Sequence, residues 1–144
     1  EEPAYDIVSL VPTPGPLGMG RIGAFPEPVE RDVLIARLKR ELKLDRILVS
    51  GPADGAVTTV ACCAGAGGSL LDDALTQGAE VFVTGEIRHH DALRAAAAGC
   101  TVLATLHSNS ERAALGVLAE MLKQSLPKLA TVQSRRDRDP FSIV

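Results

Sequence analysis

Thr101-Val102-Leu103-Ala104-Thr105-Leu106-His107-Ser108-Asn109-Ser110-Glu111 changes pattern halfway along. Thr101 to Leu106 is apolar and partly β-branched, as a buried central strand of a parallel sheet should be. His107 ends the run, and Asn109 or Ser110 can cap a following helix by accepting from its free N–H groups. His107 and Glu111 lie four residues apart across that strand-to-helix turn, so an imidazole and a carboxylate can point at one place. The carboxyl end of a strand is where open α/β sheets keep their ligands. This donor pair suits zinc, iron, manganese or cobalt. The plain alternative is that Glu111 only favours the helix N-terminus and His107 is an ordinary loop residue.

The same alternation extends outward. Toward the C-terminus the spacing predicts a helix over about 110–125, striped by Leu115, Leu118, Leu122 and Leu126 and stopped by Pro127. A last short strand is expected at Lys128–Gln133. Upstream, the pattern predicts a helix at Val29–Leu42 and strands at Arg46–Ser50, Val57–Cys63 and Glu80–Thr84. Helices are expected at about Ser69–Gln77 and at Asp91–Ala98, the latter ended by Gly99. This order argues an α/β fold: a mainly parallel sheet flanked by helices. Glu1–Gly20 has little regular pattern. Tyr5–Val11 could be a strand, and Pro12, Pro14 and Pro16 forbid its continuation. Leu17–Gly23 reads as a Gly-rich turn. The organisation expected is an irregular leader over 1–28 and a single α/β domain over 29–144.

In such a sheet, three loops converge at the carboxyl ends of three strands. One is Cys63-Ala-Gly-Ala-Gly-Gly-Ser69. Its Gly65, Gly67, Gly68 and Ser69 offer backbone N–H groups to an anion, although a tight strand-to-helix turn explains them as well. The second is Gly85-Glu-Ile-Arg-His-His-Asp91, which holds two of the three histidines. The third carries His107. Ligands beside groups able to move a proton near neutral pH are what a metal or hydrolytic site needs, so His90 and His89 are candidate catalytic groups. Asp91 could instead cap its helix.

Composition narrows the classes. A chain of 144 residues suffices for one domain with a core, and the low aromatic content (3%, no Trp) means Ala, Val, Leu and Ile must build it. A net charge of −3 gives no general attraction to nucleic acid or to an anionic membrane. No run is long enough to span a bilayer, and no signal peptide is expected. Cys62, Cys63 and Cys100 read as small buried hydrophobes in a reducing compartment, not as a disulfide framework. The basic residues of the 29–42 helix read as a solvated face. A start at Glu1-Glu2-Pro3 without Met is what a truncated or processed chain shows.

Three blocks carry a family resemblance: Cys-Ala-Gly-Ala-Gly-Gly-Ser (63–69), Val-Thr-Gly-Glu-Ile-Arg-His-His-Asp-Ala-Leu (83–93) and Leu-His-Ser-Asn-Ser-Glu-Arg (106–112). In order and spacing they resemble the carboxy-terminal half of the NGG-interacting factor three family. These are dinuclear-metal-centre proteins often labelled GTP cyclohydrolase I type 2 homologues. Gly18-Met19-Gly20-Arg21-Ile22-Gly23 resembles the family's upstream Gly-Arg-Ile/Val-Gly element. Asp137-Arg138-Asp139-Pro140-Phe141 is similar to the end of its eukaryotic members.

The resemblance implies an α/β fold, toroidal hexamers and two divalent metals per subunit, zinc or iron, in an internal cavity. It implies that His107 and Glu111 are metal ligands. The family's remaining ligands, a His-His-Pro block and a later Asp, lie in its amino-terminal half and have no counterpart here. The only His-His pair, His89-His90, stands in a different block. The leading expectation is therefore part of a metal-dependent hydrolase, in the cytoplasm, with nucleus or mitochondrion as alternatives. The competing expectations are a metal-stabilised scaffold for a transcription-related protein partner and an anion sensor built on Gly65–Ser69. No direct nucleic-acid or membrane binding is expected.

Overall fold

The computed structural model describes residues 18–143. The expected strand at Tyr5–Val11 and the prolines after it lie outside those residues. The elements are β1 (Arg21–Glu30), α1 (Arg31–Leu42), β2 (Leu48–Ser50), β3 (Ala56–Ala66), a 3-10 turn (Gly67–Leu70), α2 (Leu71–Thr76), β4 (Val81–Glu86), α3 (His89–Ala97), β5 (Thr101–Ala104) and α4 (His107–Ser125).

The strands form one five-stranded sheet in the order β1-β3-β4-β5-β2. β3, β4 and β5 are parallel neighbours, whereas β1 and β2 join the edges antiparallel. The parallel character expected from the sequence thus belongs to the three central strands and stops at both margins. These central strands are the ones joined by crossover helices, as parallel neighbours require.

Two small cores cover the two faces. On one, Leu71 and Ala74 of α2 and Ala95 of α3 pack on Ala61, Phe82 and Val102. The alanines let the helices approach closely. On the other, Leu34 of α1 packs with Val57, Val81 and Leu103, backed by Phe25, Val29 and Leu38.

Four local expectations are corrected. The segment expected as the end of an irregular leader is a strand from Arg21 onward. It holds Pro26 and Pro28 because it is an edge, with its register shifting between Ala24 and Val29. Lys128–Gln133 is not a strand. The leucine stripe of α4 is not a core face, since no residue of that helix is buried. Of the cysteines only Cys100 is buried, which pushes its thiol up to about 11, while Cys62 is exposed and Cys63 half-buried. All three are free, as expected.

At the amino edge of the central strands, Glu80 accepts the backbone N–H groups of Thr58 and Thr59 at 2.7 and 2.9 Å. Nearby, Arg31 Nε donates to Thr101 Oγ1 at 2.8 Å. The Thr59 and Thr58 bonds, helped by the Arg31 charge, hold the Glu80 carboxyl below its ordinary pKa against the opposing effect of burial. A lowered folded pKa adds stability above the unfolded value and loses it as pH falls through the folded one. Glu80→Ala should therefore cost about 1–3 kcal/mol at neutral pH. The gap to the parent chain should narrow in acid, as urea unfolding at the two pH values will read.

Candidate metal centre

Parallel pairing puts the ends of β3, β4 and β5 on one edge. Ala66 lies beside Glu86 in the β3–β4 register. Buried Thr84 stitches these ends together: its hydroxyl accepts the Gly67 N–H and donates to the Gly65 carbonyl, both at 3.1 Å. After β5 the chain turns sharply. Leu106 is the residue before α4 and has φ +70°, a conformation that costs a side-chain-bearing residue about 1–3 kcal/mol. The turn makes His107 the first residue of α4.

The expected helix cap is not Asn109 or Ser110. Both lie inside α4, where the Asn109 amide donates to the Thr105 carbonyl at 2.9 Å. Ser110 Oγ accepts the Gly65 N–H at 2.8 Å and donates to the His107 carbonyl at 2.7 Å. Ser110 thus ties the first turn of α4 to the end of β3. The cap comes instead from Asp139 in the tail, whose carboxylate accepts the Ser108 N–H at 3.1 Å. Asp137 holds that tail in place by pairing with Arg112 at 2.8 Å.

His107 stands between two carboxylates. Its Nδ1 is 3.4 Å from Glu86 Oε2, and its Nε2 is 3.4 Å from Glu111 Oε1. These are ion-pair distances, longer than tight hydrogen bonds. Glu86 at Nδ1 is the main reason the His107 pKa lies above its ordinary value. The charges of Glu111, Glu86 and Asp139 add to the rise, and partial desolvation opposes it.

Gly65 faces this pair. A Cβ there would meet Glu111 Oε1 at 2.9 Å and His107 Nε2 at 3.4 Å, and the residue has φ +67°, which glycine adopts freely. Position 65 therefore keeps open the space beside the Nε2–Glu111 pair.

The other expected site residues fall nearby but do not join this pair. His89 and His90 begin α3, both exposed, with ring centroids 5.6 Å apart. Among the described residues, no hydrogen bond or ion pair links either to His107. Asp91 is not a cap: α3 is preceded by Arg88, and Asp91 pairs with Arg94 at 3.0 Å. In the glycine loop, the Gly65 and Gly67 N–H groups are already bonded to Ser110 and Thr84. Gly68 and Ser69 line a cleft of about 520 Å³ with Glu86, Arg88 and Arg94.

Sequence reasoning missed Glu86, Ser110 and Asp139 as parts of this edge. Glu86 could have been found by applying the strand-end argument to carboxylates as well as to histidines. Asp139 has no local signal, since it reaches Ser108 from 31 residues away.

Two donors, each about 2.1 Å from one ion at a tetrahedral angle, stand about 3.4 Å apart. The His107 Nε2–Glu111 Oε1 separation is 3.4 Å, and Gly65 leaves room beside it. The pair therefore fits as part of a divalent-metal shell. Among the described residues, no group of three or more His, Cys, Asp or Glu side chains is placed to hold an ion. Nor is any helix among them long and apolar enough to cross a membrane.

A protein-family model described as Duf34/NIF3 (NGG1p interacting factor 3) matches residues 6–140. NIF3-like protein 1 of Rattus norvegicus is 41% identical over 132 residues, covering 88% of this chain and 34% of that protein. The GTP cyclohydrolase 1 type 2 homolog of Mycobacterium leprae is 35% identical over 147 residues, covering 99% of this chain and 38% of that protein. Among solved structures, a Bacillus cereus protein related to NIF3 superposes with a TM-score of 0.74 at 26% identity, over 88% of this chain and 36% of that one. The chain thus spans about a third of the length of the curated relatives it matches (34% and 38%).

Proposed function

This chain belongs to the Duf34/NIF3 (NGG1p interacting factor 3) family, and from that premise we propose that it supplies His107 and Glu111 to the divalent-metal centre of a hydrolase. The observation that supports this reading most is the imidazole nitrogen and carboxylate oxygen 3.4 Å apart beside the space that Gly65 leaves open. His107 and Glu111 share one face of α4, so a single helix presents both donors. Ser110 and Thr84 hold that helix and the Gly65 loop in register. Two ions per subunit, zinc or iron, follow from the family resemblance. A divalent ion bound here would act as a Lewis acid and raise the acidity of water. His90 and His89, exposed at the start of α3, are the proposed proton carriers. Gly68 and Ser69 are the proposed contacts for an anionic group of the substrate.

The scaffold reading is favoured by one separate feature, the exposed apolar side of α4. Val117, Leu118 and Met121 are 63%, 51% and 59% exposed. That strip suits burial in a ring of subunits, here proposed as a hexamer, or against a transcription-related protein partner. Three free cysteines accord with a reducing compartment such as the cytoplasm.

Elemental analysis tests the metal reading. It is run on the full-length protein, because donors beyond this pair are not among the described residues. His107→Ala and Glu111→Ala should each lower bound metal at least about tenfold, with circular dichroism unchanged. His89→Ala should leave metal content as it was. Full metal content in both of the first two variants would remove His107 and Glu111 from the centre.

A further inference from the structure

We propose that Glu86 is a positioning residue that holds the Nδ1–H of His107 and so turns Nε2 toward the metal. The proposal rests on the metal reading above. The two His107 contacts are equal in length, 3.4 Å on each side, so distance alone does not say which nitrogen is left for an ion. Three features separate them.

The first is space. The opening left by Gly65 lies against Nε2, Cε1 and Glu111 Oε1. The backbone on the β4 side is closed, since a Cβ on Gly85 would meet the His107 Cα at 3.0 Å.

The second is mechanical. Glu111 rides on the same helix as His107 and moves with it. Glu86 is the last residue of β4, paired with β3 at Ala66. Among the described residues, Glu86 is the sheet side chain paired with the imidazole, so its hold on the ring does not move with the helix that carries His107.

The third is the proton count. A neutral imidazole carries one N–H and one lone pair. Donation of Nδ1–H to Glu86 leaves the Nε2 lone pair free, beside the Glu111 carboxylate. The reverse tautomer would spend the Nε2–H on Glu111 and direct the lone pair at Glu86. Either tautomer sets its lone pair against a carboxylate, but only the first does so on the side that Gly65 leaves open, where an ion between Nε2 and Glu111 Oε1 would bind both. Carboxylates behind metal-binding histidines serve in this way and strengthen the ligand.

Two measurements decide the role of Glu86. Nitrogen-15 NMR of the metal-free chain in alkaline solution, where the imidazole is neutral, identifies the protonated nitrogen. The parent chain should show Nδ1–H, and Glu86→Gln should keep it through its amide oxygen. Glu86→Ala should shift the population toward Nε2–H. In the full-length protein, competition with a chelator reads cobalt(II) affinity. Glu86→Ala should weaken it about 10–100-fold, and Glu86→Gln should weaken it less. A parent chain already in the Nε2–H form, or unchanged cobalt affinity in Glu86→Ala while His107→Ala loses metal, would overturn the role of Glu86 and leave the centre standing. Full metal content in His107→Ala would instead remove the centre, and with it this role toward the metal. The NMR measurement needs no metal, so it still shows whether Glu86 holds the ring.

Discussion

Phe82→Ala should lower the unfolding free energy by about 3–5 kcal/mol. Phe82 is 1% exposed near the start of β4, the central strand of the sheet. Its register partners are Ala61 and Val102, and the helices above contribute Leu71, Ala74 and Ala95. Leu71 is already fully buried and the other side chains are too short to fill the space a lost ring leaves, so a cavity remains and its cost adds to the lost transfer energy. The ring also underlies the 3-10 turn, since a Cβ on Gly67 would touch Phe82 Cζ at 3.2 Å. The chain has three phenylalanines and no tryptophan, and the other two are half-buried Phe25 and exposed Phe141. Small domains are stable by only about 5–15 kcal/mol, so this single change takes a large share. Urea unfolding measures it. Phe82→Leu should lose less than half as much, because an aliphatic side chain refills part of the volume. A loss below about 1.5 kcal/mol for the alanine variant would mean that the helices close onto the sheet.

The parts of this fold that show in the sequence are those whose burial is local. Val81–Thr84 and Thr101–Ala104 are uninterrupted apolar or β-branched runs because helices cover both faces. β1 is hidden because an edge strand needs only half its hydrogen bonds. Pro26 and Pro28 can then sit in it and make it read as the end of an irregular leader. The Lys128–Gln133 alternation has the pattern of a strand, but no free position in the sheet receives it. Amphipathicity likewise reports that α4 has an apolar side without saying what covers it, and within this chain Val117 and Met121 stay exposed. The site divides in the same way. His107 and Glu111 are legible as a pair because helical spacing is a local rule. Glu86 reaches the histidine from β4 and Asp139 reaches its neighbour Ser108 from the tail, and nothing in residues 101–111 foretells either.

Gly85→Ala is the change in which fold and site fail together. Gly85 is buried in β4 directly beneath the start of α4. A Cβ there would stand 2.6 Å from Ser110 Oγ, 2.8 Å from the Gly65 carbonyl oxygen and 3.0 Å from the His107 Cα. Two of those three atoms are backbone and cannot rotate aside. The third is the hydroxyl that ties Gly65 to His107, so its displacement breaks the Gly65 N–H and His107 carbonyl bonds together. Either the helix lifts from the sheet or β4 bends. The expected loss is about 3 kcal/mol or more, the range of overpacking at a rigid contact with hydrogen bonds lost besides. Gly23→Ala is the control, because nothing lies within 4 Å of a Cβ at that edge-strand position. It should shift the urea midpoint little in either direction. Where Gly85→Ala still folds, the His107 ring resonances should move as the helix start lifts from Glu86, while those of His89 and His90 on α3 stay near their parent positions. A midpoint within about 0.5 kcal/mol of the parent, with His107 unmoved, would show that α4 does not rest on Gly85 and would separate the helix start from the sheet edge that the metal centre needs.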